Sequence, residues 1–385
     1  MKVMSKGFDG ITEKGILAFV FFLPICPPLS VLGVLTALVF FFIRHKDKLN
    51  FRPILFWVSL LVLLFFTFLS AAFSVQRNLS FGRFPFYILS FLLCLLIARS
   101  GVNSERILKL LVISGIIVTA FGIIQYLTDF NLAIRTHLFS ITFATKKGIT
   151  STLSNPNRFA QYLVLLLPLA AVSLYVLRGF KWKMCAFCLI LLSFVCLFLT
   201  KSFAGICAVS VLILFAVFIK NWKLGIVLVL LLSLIYVTNQ RKMGDFTRRF
   251  TSSRSIETRF STWKVAISAV RKHPLTGCGL STFHKIATEY KGDEKIMHGH
   301  AHSMYVQLLC ETGMAGFFAF IFTVVLFLLY CFQRGSPISY GCAFSIIGAL
   351  LAGLTGTILE FLPLAMLFWA IMGLGIGEYN ENFVS

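Results

Sequence analysis

The chain is a succession of apolar runs, most of them long enough to cross a bilayer, separated by short polar loops. A transmembrane helix needs about 20 such residues. Runs of this kind cover Pro53–Phe73, Phe84–Ala98, Ile107–Leu127, Phe159–Leu177, Met184–Thr200, Phe203–Ile219, Leu224–Thr238, Ser303–Phe332, Ile338–Thr357 and Leu362–Gly377. The first run, Ile16–Ile43, is too long for one comfortable span and contains Pro24, Pro27 and Pro28. Helix interiors resist proline, so this run reads as two short helices joined by a tight turn. The expectation is an all-α polytopic membrane protein with about twelve spans. Composition agrees. Of the 385 residues, 58% are hydrophobic and 13% charged, against about 25% charged in a soluble domain. That balance excludes a set of soluble domains, a disordered chain, a collagen-like fibre and a nucleic-acid-binding module.

Orientation follows from Lys and Arg in the short loops. With twelve spans, Arg44/Lys46/Lys48/Arg52, Arg99/Arg106/Lys109, Arg178/Lys181/Lys183, Lys220/Lys223 and Arg334 share one side with Lys2, Lys6 and Lys14. That side is expected to be cytoplasmic, with both termini on it. Counting the first run as one span would put Arg44–Arg52 opposite Lys2–Lys14, so the charges favour the split. Two polar segments then face outward, Thr128–Arg158 and Asn239–His302.

The second outward segment holds twelve Lys and Arg against five Asp and Glu. A cationic outer loop runs against the usual bias. Two readings remain: a solvated basic surface near anionic lipid, or cations kept for a phosphate-bearing partner. The net charge of +21 favours lipid headgroups and phosphates as partners, not nucleic acid. Within the loop, Phe260, Trp263, Ile267 and Val270 form a helical stripe over Glu257–Lys272, with Arg259, Lys264 and Arg271 off it. This reads as an amphipathic helix lying at the membrane interface, ended by His273-Pro274.

Most of the ten cysteines lie in apolar runs and read as small buried thiols. No cleavable signal peptide is expected, since the first run is too long for one. Five of the seven histidines fall in the second outer segment, three of them as His298-Gly-His300-Ala-His302. Alternate histidines can ligate zinc, cap the entrance of a span, or move protons at neutral pH. Their spacing fits no standard zinc pattern.

His302-Ser303, nine residues, then Gly313-Met-Ala-Gly316 matches the H-[N/S/Q]-x9-G-x-x-[G/T/Y] signature of the O-antigen ligase family. Two further blocks resemble it. One is Ser151-Thr-Leu-Ser-Asn155-Pro-Asn157-Arg158-Phe-Ala-Gln-Tyr162. The other is Arg259-x3-Trp263 followed by His273-Pro-Leu-Thr-Gly277-Cys-Gly279. The family often carries S-R-G where this chain reads Thr200-Lys201-Ser202-Phe203-Ala204-Gly205, leaving Lys201 as the nearby cation.

The resemblance implies a metal-independent, cofactor-free glycosyltransferase of the bacterial inner membrane, its active site periplasmic. It implies transfer of a glycan from an undecaprenyl diphosphate carrier to lipid A–core. O-antigen polymerases and protein O-oligosaccharyltransferases use the same donor and are the alternatives; a transporter or flippase is a more distant one. Residues 1–238 form the membrane bundle in this reading, 239–302 the catalytic loop, and 303–385 the last three spans and tail. His302 is expected to be the base and Arg259 the donor-diphosphate contact. Lys201, Arg254, Asn155, Asn157, Arg158, His300, Ser303, Gly313 and Gly316 are expected to line the substrates. Gly313 and Gly316, at i and i+3, share one helical face in this reading and suit a close approach.

Overall fold

The computed structural model describes residues 2–44, 51–135, 140–143, 148–228, 253–290 and 299–380. The helices are α1 (Lys2–Phe22), α2 (Pro27–Arg44), α3 (Ile54–Ala72), α4 (Arg77–Arg99), α5 (Ser104–Thr128), α6 (Pro156–Val176), α7 (Phe180–Leu199), α8 (Phe203–Lys220), α9 (Ser253–Lys272), α10 (Phe283–Tyr290), α11 (Met304–Arg334), α12 (Pro337–Gly353) and α13 (Leu362–Asn380). Among the described residues, nine helices are long and apolar enough to cross a membrane: α2 to α8, α11 and α13. Apolar α12 is slightly shorter, and α1 carries charge along its first half. The chain is therefore a polytopic helical membrane protein. Of the expected span over 224–238, residues 222–228 are helical, and 229–238 lie outside the described residues. His298 lies outside them too, as does the side chain of Arg254.

The prolines split the first apolar run as its length requires, with a turn over 23–25 between α1 and α2. Polar caps start other helices: Asn103 Oδ1 accepts from Glu105 N–H, and Asn155 Oδ1 from Asn157 N–H at 2.8 Å, satisfying donors a helix start leaves open. One element departs from an all-α chain. Leu132–Arg135 (β1) and Ser140–Phe143 (β2) pair antiparallel, Leu132 facing Phe143, within the polar segment after α5.

Helix α13 is the central post: 83% of its apolar window is buried, against 22% for α8 at the periphery. It packs on α4 and α12, while α6 packs on α7 and α12, and α3 on α11. Phe56, Trp57, Phe320, Phe327 and Phe368 are fully buried, whereas Phe65, Phe198, Phe318 and other large apolar side chains stay on the outside, as a bilayer permits. One end of the bundle is tied by Arg106 to Glu13 and by Glu378, which accepts from Ser104 (2.5 Å) and Ser336 (3.3 Å). The opposite end gathers the starts of α4, α6, α11 and α13 with the connection from α9 to α11, and the conspicuous sequence blocks meet there.

Candidate active site

Helix α9 stops at His273-Pro274, and the chain turns back through Gly277 (φ 69°) and Gly279 (φ 111°). This turn fills a break in α11. At Gly313 the backbone takes φ 67°, ψ −173°, a region open essentially to glycine. In an unbroken helix, Met314 and Ala315 would donate to the carbonyls of Cys310 and Glu311. Here Met314 N–H donates to Pro274 O (2.8 Å) and Ala315 N–H to Leu275 O (3.3 Å). The two released carbonyls accept from Cys278 N–H (2.9 Å) and Gly279 N–H (3.0 Å).

Two helical bonds are thus exchanged for four bonds to the turn, and no backbone group of the exchange is left unpaired, as burial requires. A β-carbon on Gly277 would lie 2.5 Å from Glu311 O, and one on Gly313 2.4 Å from Leu275 O. Serines of α3, of α4 and of the turn between them complete the joint. Ser70 Oγ donates to Glu311 O (2.6 Å), Ser74 Oγ to Cys278 O (3.2 Å) and Ser80 Oγ to Leu280 O (3.0 Å).

The glycines of two separate sequence blocks are therefore parts of one joint. The expected shared helical face of Gly313 and Gly316 is corrected: Gly313 is not helical, and a β-carbon on Gly316 would meet Thr312 of its own helix. Gly313→Ala is expected to cost at least the about 1–3 kcal/mol of a strained backbone, with the clash added. It should lower the thermal midpoint and open the joint, seen as faster amide exchange at Cys278 and Gly279. An unchanged midpoint would count against the joint.

The histidines are held from the joint. Both backbone groups of Ala301, between His300 and His302, are bonded. Trp263 Nε1 donates to Ala301 O (2.8 Å), and Ala301 N–H donates to Gln307 Oε1 (2.8 Å). Gln307 Nε2 donates in turn to Glu311 Oε1 (2.7 Å), and both side chains are buried. His302 sits at φ 51° and turns the chain into α11, where buried Ser303 takes the cap position with no capping bond from its side chain. His302 is half-buried. Burial first, then the Arg259 charge and His300, push its pKa down to about 4. His300 is also lowered: burial dominates, Arg158, Arg83 and His284 add to it, and Glu360 opposes it.

The packed face of α9 differs from the expected stripe. Thr262, Val265, Ala266 and Ala269 are buried, while Phe260 and Ile267 are exposed. The small side chains at 266 and 269 let α9 lie close on α10 and α11, leaving its larger apolar residues on the neighbouring, open flank. Arg259 falls at the seam between the two faces, half-buried, its Nε buried without a hydrogen-bond partner among the described residues. Burial lowers its pKa, yet a guanidinium stays charged at neutral pH.

Arg158, half-buried at the start of α6, stacks on the Phe361 ring at 4.2 Å. No carboxylate pairs with either arginine among the described residues. Asn155 caps α6, and Asn157 is exposed beside it. Lys201 lies exposed in the turn between α7 and α8, at φ 55°, with no bond linking it to the histidines among the described residues.

Two participants escaped the sequence reading. Arg83, inside α4, donates to the carbonyls of Leu359 (3.2 Å) and Glu360 (2.9 Å), its guanidinium 4.0 Å from the Glu360 carboxylate. Both groups act electrostatically on His300. An arginine within a helix long and apolar enough to cross a membrane is itself a signal of function. Chemically, the cluster offers a neutral imidazole that can accept a proton, beside guanidinium groups free to meet an anion. Among the described residues, no three His, Cys, Asp or Glu side chains converge as metal ligands.

The cluster thus sets a half-buried histidine beside arginines that no carboxylate pairs among the described residues. Residues 187–321, from α7 into α11, match the O-antigen ligase family model. The matched stretch takes in Arg259, the 273–279 turn, His302 and the Gly313 break. The match supports glycan transfer of the ligase or polymerase type. No curated protein matches the chain.

Proposed function

We propose that the protein transfers a glycan from undecaprenyl diphosphate to lipid A–core on the periplasmic face of the bacterial inner membrane. The observation that carries this reading is a backbone-clamped His302 under the charge of Arg259, whose guanidinium no carboxylate pairs among the described residues. Attack of an acceptor hydroxyl on the anomeric carbon breaks the bond to the diphosphate, and the hydroxyl proton passes to His302. The leaving diphosphate carries negative charge, and fixed guanidinium groups stabilise such charge as it develops. Arg259 and Arg158 serve it directly, with Arg83 fixed against Glu360 behind His300. Lys201 and Arg254 add positive charge at the donor's approach, and Asn155 and Asn157 line it. A diphosphate is a good leaving group, so a weakly basic imidazole suffices. Donor binding also offsets the Arg259 charge, which raises the affinity of His302 for the proton it receives.

The test is a reconstitution in liposomes with the lipid-linked glycan as donor and lipid A–core as acceptor. Capped lipid A–core is the expected product. A chain that instead lengthens the glycan on its carrier is a polymerase, and a glycosylated protein acceptor marks an oligosaccharyltransferase.

The pH dependence follows from the sign of the His302 shift. Its pKa is lowered, so the proton-accepting form persists well below the ordinary range of about 6.5. The acid limb of kcat/KM, which reports the free enzyme, is expected near pH 4. Arg259→Ala removes one cause of the lowering and should move the limb upward. A wild-type limb at the ordinary histidine value would contradict this.

Metal is not needed in this scheme. Turnover is expected to survive EDTA; loss of activity restored by one divalent ion would assign the histidines to a metal.

A further inference from the structure

The backbone exchange at the Gly313 break brings together two cysteines that the transfer chemistry does not use. Cys278 N–H donates to Cys310 O at 2.9 Å. With N–Cα about 1.46 Å and Cα to carbonyl oxygen about 2.4 Å, a bond of this length holds the two Cα atoms within about 6.8 Å, inside the about 4.4–6.8 Å that a disulfide spans. The side chains also point to one place. Both cysteines are buried in a small cluster with Ala266, Ala269 and Phe283, each as a free thiol. Cys278 leaves the turn and Cys310 leaves the last helical residues before the break, so a bond between them would close the joint covalently.

We propose that Cys278 and Cys310 are oxidised to a disulfide that staples the α9–α10 turn into the break of α11. The proposal rests on the outward orientation given under the proposed function, since disulfides persist in oxidising compartments. Other cysteines, such as Cys94, Cys196, Cys331 and Cys342, lie in membrane helices, and among the described residues none shows a comparable bond to another cysteine.

The chemistry balances with an external disulfide, on a protein or a small molecule, as oxidant. The Cys278 thiolate attacks one sulfur of that disulfide, and the other leaves as a thiolate that takes up a proton. The Cys310 thiol then loses its proton and attacks Cys278 sulfur in the mixed disulfide, releasing the oxidant's second thiol. Two electrons and two protons pass from the cysteine pair to the oxidant. In the docked joint both sulfurs are sealed from solvent, at 1% and 0% exposure. Exchange therefore belongs to the stage before the turn docks, and the finished bond is shielded from reductant.

The test uses the full-length wild-type protein in native membranes. Free thiols are alkylated at harvest, under denaturation, and the digest is read by mass spectrometry. The expected result is a Cys278 peptide joined to a Cys310 peptide, lighter by two hydrogens than the separate thiols and parted by reductant. Cys278→Ser should leave Cys310 fully alkylated, and Cys310→Ser should do the same for Cys278. Alkylation of both thiols in the wild type overturns the proposal. A parallel Lys285→Cys variant, at an exposed position of α10, is treated in intact cells with a membrane-impermeant maleimide. If Lys285→Cys is labelled while both native thiols are free, the disulfide fails and the outward orientation stands. If neither the label nor the crosslink forms, both fail together.

Discussion

His302→Ala is expected to abolish glycan transfer while the protein still inserts and keeps its thermal midpoint. A positioned base is worth about 10²–10⁴-fold in rate. The loss should fall in kcat, because the donor's diphosphate meets the arginines and not the imidazole. The clamp on this segment does not depend on the imidazole: Trp263 holds Ala301 O, and Gln307 holds Ala301 N–H. Removing the ring therefore leaves the backbone where it was. His300 is the internal comparison. It lies two residues away, with Arg158, Arg83 and Glu360 acting on it, and His300→Ala is expected to cost much less. Full activity of His302→Ala in a purified assay would remove the histidine from the mechanism. Equal losses at both positions would point to shared binding.

How much of this was legible before the structure depends on what kind of signal each part leaves. Helix existence was legible because apolar length is read directly. The split of the first run followed from three prolines and is met by α1 and α2. The signature residues His302, Gly313 and Arg259 were legible as a pattern, and the family match spans them. What they do to one another was not. Gly313 and Gly277 lie in different blocks, and only backbone approach reveals that each makes room for the other. The large apolar stripe on α9 reads as facing the membrane interface, and its Phe260 and Ile267 are exposed; what the reading leaves out is a second apolar flank, packed on protein. Its packed flank is the one with small residues, which a reading weighted toward Phe, Trp and Ile passes over. Arg83 was missed because the apolar run was taken to start at Phe84, whereas α4 begins at Arg77. Glu360 sits in a short turn between α12 and α13, where a single acid makes no pattern. Gln307 and Glu311 belong to the stretch that resembles the family, but only the structure shows the hydrogen bonds by which they fix the histidine segment.

Arg259→Lys is expected to impair transfer severely although the charge is kept. Arg259 sits at the seam of α9, with its exposed flank, including Phe260 at 57% exposure, on one side and the packed face on the other. Its Nε is buried and without a partner among the described residues, so part of the planar fork is withdrawn from water with nothing there to satisfy it. A phosphate satisfies that fork with two parallel hydrogen bonds, which an ammonium on a flexible stem cannot reproduce. Removing a preorganised electrostatic group of this kind costs about 10²–10³-fold in turnover, the range expected for Arg259→Ala. The lysine variant should recover only a small part of it. Neither variant should unfold the protein, because no carboxylate among the described residues loses its partner. Arg259→Ala should also carry the upward shift of the His302 acid limb, since the two charges oppose each other, and Arg259→Lys should not. That difference separates charge from geometry. If Arg259 instead grips bulk anionic lipid, Arg259→Lys turns over like the wild type, and activity follows the membrane's anionic content instead of donor concentration.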